Sequence, residues 1–152
     1  MTRKVKRFFT LPPEEKRLFL EAYSMLALMR AAILTISFKR LTRSLHHSKD
    51  TVKPGTLTDE QLDTAKRIGK VINQAMGNTP WESACLAQAL TAQRMLKKRN
   101  IPGVFYLGVK KDKGVEEKME AHAWLQCGES IITGERGHEA FTVLSVFGWG
   151  QR

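Results

Sequence analysis

The sequence predicts an α+β domain in which helices come first and a small, mostly antiparallel sheet follows and packs on the last helix. Two observations predict it. Apolar residues recur at helical spacing up to Asn100, and after Pro102-Gly103 the period changes to strict alternation in Phe105, Leu107 and Val109. Turn-rich pieces then divide the alternating part into strands: Lys110 to Gly114, Gly128-Glu129 and Gly134 to Gly137. With 152 residues, 42% of them hydrophobic, the chain suits one domain that buries a real core.

Pro12-Pro13-Glu14-Glu15 predicts a helix start, because proline fits the entry and carboxylates suit the positive first turn. The helix is expected to run to about Phe38. Leu18, Ala22, Met25, Met29, Ile33 and Ile36 form one stripe, and Leu26, Leu28, Ala32 and Leu34 widen it almost all round. Such a helix needs cover on more than one side. Either the later helices supply it, or part of the surface docks another protein. Glu21 and Arg30 interrupt the apolar run, so no membrane span is expected, and the basic Met1 to Arg7 segment lacks the apolar run of a secretory signal.

Residues 39 to 57 are basic and polar and end at Pro54-Gly55, which predicts a connector. His46-His47 falls there and is read as solvated loop, since adjacent residues point apart and make a poor metal site. This divides the chain into an N-terminal helical segment with a basic connector, 1–57, and a core, 58–152. Thr58 and Gln61 have capping-box spacing and open a second helix, with Leu62, Ala65, Ile68, Ile72 and Met76 on one face and Gly77-Asn78 as its stop.

A third helix is expected around Trp81 to Leu90. Thr79, Pro80 and Glu82 make one start signal; Ser83 as the cap would bring Cys85 closer still to the amide donors. Cys85 then lies in the opening turns, where the positive end of the helix favours thiolate. Ala89, Ala92 and Leu96 share its face and let a sheet come near. Taken alone, Cys85 reads as a buried structural cysteine. Only a partner changes that.

The partner is in the second strand, Met119 to Cys127. There His122, Trp124 and Gln126 point to one side and Ala121, Ala123, Leu125 and Cys127 to the other. An imidazole on a strand beside a cysteine helix is what acceptance of a thiol proton requires. Gly108, in the first strand, leaves room for another backbone. Ser130 to Thr133 and Phe141 to Phe147 complete the predicted sheet.

Composition narrows the function classes. The net charge of +10, from 25 Lys plus Arg against 15 Asp plus Glu, favours an anionic partner. The basic residues are scattered, aromatics are only 8%, and no groove-reading motif is present, which argues against nucleic acid. Cys85 and Cys127 match neither a disulfide framework nor a zinc spacing, so a reduced cytoplasm is expected and no metal or cofactor.

The run Trp81-Glu82-Ser83-Ala84-Cys85-Leu86-Ala87-Gln88-Ala89-Leu90, then Gly108-Val109, Ala121-His122-Ala123-Trp124-Leu125 and Thr133-Gly134-Glu135 through Phe141-Thr142-Val143 resembles the transglutaminase-like leader peptidases of lasso peptide biosynthesis. Leu18 to Leu41 resembles that family's N-terminal helix. The resemblance implies a papain-like cysteine protease fold and removal of a leader from a ribosomally made precursor. It implies Cys85 as nucleophile and His122 as general base. Many relatives carry Asp about a dozen residues after the histidine, where this chain has Gly134 with Glu135 beside it. Glu135 is the expected orienting group, with a backbone carbonyl or Gln126 as substitutes. Trp81 and Trp124 are expected to line the substrate site, Trp124 either shielding the pair or serving as core. The separate protease form implies a standalone leader-recognition protein as partner, with the lasso cyclase as a further one. The alternatives are acyl transfer of the transglutaminase or N-acyltransferase type, and a noncatalytic binding module.

Overall fold

In the computed structural model residues 12–41, 46–48, 56–76, 85–111, 119–135 and 138–149 are described. Pro13 opens helix α1, Pro13–Thr35, with Glu14 and Glu15 in its first turn. Its end comes before the predicted one at Phe38, because Ile36 turns extended (φ −118°, ψ 142°) while its N–H still bonds the Ala32 carbonyl. A short helix α2, Phe38–Leu41, follows the break. Ala22, Leu26, Met29 and Ala32 are the buried residues of α1. Its core face is therefore narrower than the sequence suggests, and Leu20, Leu28, Leu34 and Ile36 are exposed.

Helix α3, Asp59–Met76, begins with the predicted capping box. The Thr58 N–H donates to Gln61 Oε1 at 3.0 Å and the Gln61 N–H donates to Thr58 Oγ1 at 3.1 Å, so two orphan donors are satisfied reciprocally. Ala65, Ile68, Val71, Ile72 and Ala75 line its buried side. Helix α4, Cys85–Lys98, ends as a Schellman motif. Asn100 takes a left-handed φ of 58°, its N–H bonds the Lys97 carbonyl and the Ile101 N–H bonds the Leu96 carbonyl. The predicted start signals Thr79, Pro80, Glu82 and Ser83 lie outside the described residues, as do Trp81, Gly77-Asn78, Pro54-Gly55 and most of the Lys110 to Gly114 turn.

The sheet has the order β1-β5-β2-β3-β4, and every described pairing is antiparallel. Its strands are β1 His46–Ser48, β2 Gly103–Lys111, β3 Met119–Cys127, β4 Ser130–Thr133 and β5 Thr142–Trp149. β1 corrects the reading of His46-His47 as loop: His47 pairs with Phe147 at the sheet edge. Three residues with no alternation carry too little pattern to signal a strand, and pairing with β5 supplies the order.

One face of the sheet packs on α3 and α4. Phe105, Ala123, Leu125, Cys127, Phe147 and Trp149 share a core with Ala65, Ile68, Ile72, Ala89, Ala92 and Leu96. Ala22 and Leu26 of α1 enter the same core. Glu21 pins α1 to the end of α4 through two Arg99 nitrogens, at 2.6 and 3.1 Å. Where α3 crosses β4, Gly69 is required, since a Cβ there would lie 2.5 Å from the Ile132 carbonyl oxygen.

Candidate active site

The site forms where β4 stops short along the edge of β3. The last β3–β4 pair is Leu125↔Thr133, so two residues earlier the Ala123 N–H is not taken by β4. It donates instead to Cys85 Sγ at 3.4 Å. Cys85 is half-buried and packs against the main core, so the first residue of α4 brings its sulfur to the backbone directly after His122.

His122 is half-buried, and its Nε2 meets the Gly134 carbonyl oxygen at 2.7 Å. A carbonyl only accepts, so Nε2 carries the proton and the lone pair of the neutral ring is on Nδ1. The geometry thus selects the tautomer with Nδ1 as the basic atom.

The bond falls at the position where a carboxylate was sought, and the backbone supplies it. Gly134 has φ +75°, and a Cβ there would run into the Ala123 carbonyl and lie 2.9 Å from Trp124 Cβ. A side chain at this position meets both conformational strain and overlap. Glu135 is exposed, and its part is through its own carbonyl, which accepts from His138 Nδ1 at 2.6 Å and from the His138 N–H at 3.2 Å. Gln126 is engaged elsewhere, its Nε2 donating to the Gly128 carbonyl at 2.8 Å.

Aromatic rings enclose the imidazole. Phe141 lies 5.0 Å from it between centroids and Trp124 5.8 Å. Trp124, only 5% exposed, also stacks on Tyr106 at 5.5 Å and meets His138 at 5.6 Å. Such burial makes it a wall of the site rather than an open platform. Lys110 Nζ stands 4.8 Å above the Phe141 ring. Gly108, opposite His122 in the sheet, permits this closure: a Cβ there would lie 3.0 Å from Phe141 Cβ, from the Thr142 carbonyl and from Trp124 Cη2. What comes near Gly108 is thus the turn into β5.

The second cysteine is of a different kind. Cys127 is fully buried, and burial pushes its thiol up to about 12, so it stays protonated and unreactive at neutral pH. Burial also raises the Tyr106 phenol, which remains neutral under the Trp124 ring. Among the described residues no group of three or more His, Cys, Asp or Glu could hold a metal ion. A groove of about 350 Å³ between α1 and α3, bordered by Glu14, Leu18, Arg67 and Lys70, involves none of the residues above.

Cys85, on the Ala123 N–H, therefore meets β3 at its middle, where His122 and Trp124 also sit, Glu135 adjoins them through its backbone, and Trp81 lies outside the described residues. Sequence reasoning missed His138, Phe141 and Tyr106 as neighbours. Phe141 was legible only as a strand residue, and His138 lies in a loop whose 3-10 turn, His138–Ala140, has no periodicity to show it.

No curated protein and no solved structure matches the chain. The sequence profile of the transglutaminase-like superfamily matches residues 25–146, a range that holds Cys85, His122 and Gly134 together with the C-terminal part of α1. That superfamily includes cysteine peptidases and acyltransferases, and its members are generally cysteine-dependent enzymes. With a helix-borne cysteine set against an antiparallel sheet in a papain-like α+β arrangement, this chain belongs to the transglutaminase-like superfamily.

Proposed function

We propose that the protein is a cytoplasmic cysteine peptidase that removes the leader from a lasso peptide precursor, with Cys85 as nucleophile and His122 as general base. The observation that carries the reading is the shared location: Cys85 Sγ on the Ala123 N–H, and His122 held through Nε2 so that Nδ1 keeps the lone pair.

In the reaction the Cys85 proton passes to His122 Nδ1 and the sulfur attacks the scissile carbonyl carbon. The Cys85 backbone amide, at the positive end of α4, suits the developing oxyanion. Collapse breaks the C–N bond, and imidazolium returns its proton to the leaving amine. Water, deprotonated by the same Nδ1, then attacks the thioester, the C–S bond breaks to release the leader's new carboxylate, and the imidazolium proton returns to the Cys85 sulfur. The Gly134 carbonyl orients the ring throughout, the work of the third triad member, and as a neutral dipole it adds no charge. His138 fixes the adjoining carbonyl of Glu135, and Trp124 and Phe141 wall the imidazole and hold its plane. Trp81 is assigned to the peptide. A separate leader-recognition protein presents the substrate and the lasso cyclase takes the product; the charge of +10 suits an acidic leader or partner.

Acyl transfer shares the thioester and differs only in whether an amine or water resolves it, and the superfamily contains both kinds of enzyme. Incubation with a candidate precursor and the recognition protein, read by mass spectrometry, decides. Two fragments whose masses sum to precursor plus water support the peptidase, and a heavier adduct assigns acyl transfer. An intact precursor, or cleavage that survives Cys85→Ala, removes the peptidase reading.

A further inference from the structure

We infer that the outward face of α1 is a docking surface for an anionic lipid bilayer. The inference does not depend on the peptidase reading. Every exposed residue from Leu18 to Ile36 is uncharged, in a chain where 26% of residues are charged. Four of them are large aliphatics: Leu20 at 54% exposure, Leu28 at 57%, Leu34 at 71% and Ile36 at 43%. With Ser24 and Ala31, the three leucines recur every three or four positions and form one stripe, about 21 Å long at the helical rise, with Ile36 just beyond the helix end.

Two features separate this stripe from an ordinary core helix and from a membrane span. By length and composition α1 is apolar enough to cross a membrane, yet only 22% of its most apolar window is buried inside the fold. Its opposite side, however, is committed. Ala22 and Leu26 belong to the main core, and Met29 and Ala32 pack with Leu41 and Leu90. Crossing a bilayer would tear those contacts open, whereas lying on its surface keeps them and covers the stripe.

Charge selects the occupant. Exposed cations flank the stripe, Arg17 before it, with Glu14 about one turn earlier, and Lys39 and Arg40 after it. A planar layer of anionic headgroups meets both ends at once while the leucines enter the acyl boundary between them. A second copy of the chain fits worse. Each copy carries +10, so two copies repel one another where an anionic surface attracts.

Flotation of the intact protein with phosphatidylcholine vesicles, with and without about 30% phosphatidylglycerol, tests the inference. The expected result is flotation with the anionic vesicles alone, weakening as salt rises from about 0.05 to 0.3 M. The double variant Leu28→Glu/Leu34→Glu, which changes only exposed positions, is expected to lower partitioning by about tenfold or more at unchanged Tm. Lys39→Gln/Arg40→Gln is expected to weaken it at low salt. Absent flotation, equal binding to neutral vesicles, or full binding by the Leu28→Glu/Leu34→Glu protein overturns the inference. So does light scattering that shows a dimer which this variant splits, since the face would then belong to a second copy. A soluble protein partner that competes for α1 while vesicles do not bind overturns it equally.

Discussion

Gly134 carries a sharp prediction because two independent costs meet there. With φ +75°, any other residue must take up the left-handed region, which costs about 1–2 kcal/mol. Its Cβ would run into the Ala123 carbonyl and lie 2.9 and 3.0 Å from Trp124 Cβ and Cα, backbone-proximal atoms that cannot swing aside. Overpacking of that kind costs about 1–3 kcal/mol more. Gly134→Ala is therefore expected to lose about 2–5 kcal/mol, which for a domain of this size lowers Tm by about 5–15 °C in calorimetry. Gly134→Asp, which places a carboxylate at this position, should lose as much. It should also slow Cys85, because the displaced carbonyl no longer holds His122 Nε2. A Gly134→Asp protein with the original Tm and equal or greater Cys85 reactivity would refute the claim that the backbone fills the third position.

Three further outcomes follow from single contacts. Cys127, buried with its thiol at about 12, should stay unlabelled by iodoacetamide at pH 8 in the folded protein and label fully in urea; rapid native labelling would contradict its burial. The Arg99 hydrogen bond, with the Arg99 and Lys98 charges, holds the Glu21 carboxyl below its ordinary value in the fold. Its contribution is therefore present above the ordinary carboxylate range and lost as pH falls through the lowered value. Glu21→Gln should destabilise by about 1 kcal/mol at pH 7, and the gap should close in acid; a gap that grows there would contradict the ion pair. Gly69→Ala should cost about 1–3 kcal/mol although alanine favours helix, because its Cβ meets Ile132 at the α3–β4 crossing; a stabilised variant would mean that the two elements do not touch.

Where a pattern is long or chemically specific, the chain's own residues announce the structure. Met119 to Cys127 alternates over its whole length and is followed by Gly128, which takes φ 57°, so β3 and β4 appear at the predicted bounds. The Thr58–Gln61 capping box names the start of α3 in the same way. The buried, cysteine-bearing side of α4 follows from Ala89, Ala92 and Leu96. Elsewhere the cause of order is distant in sequence. β1 exists because β5 offers an edge, and α1 ends at Thr35 because the extended Ile36 breaks it ahead of α2. The contact on His122 was hardest to foresee. A glycine presents no side chain to reason from, so Glu135 stood first with a backbone carbonyl or Gln126 as substitutes, and the group at the imidazole is the main-chain carbonyl of Gly134.

The central claim is that Cys85 works with His122 instead of serving as an inert edge cap on β3. Its most direct test is the rate at which iodoacetamide alkylates Cys85 at pH 7, resolved by peptide mass spectrometry, in the intact protein and in His122→Ala of equal Tm. The account predicts that the rate falls by about tenfold or more in the variant, because the base that takes the thiol proton is gone. An unchanged rate would make Cys85 a structural thiol and would leave the proposed peptidase reaction without a nucleophile.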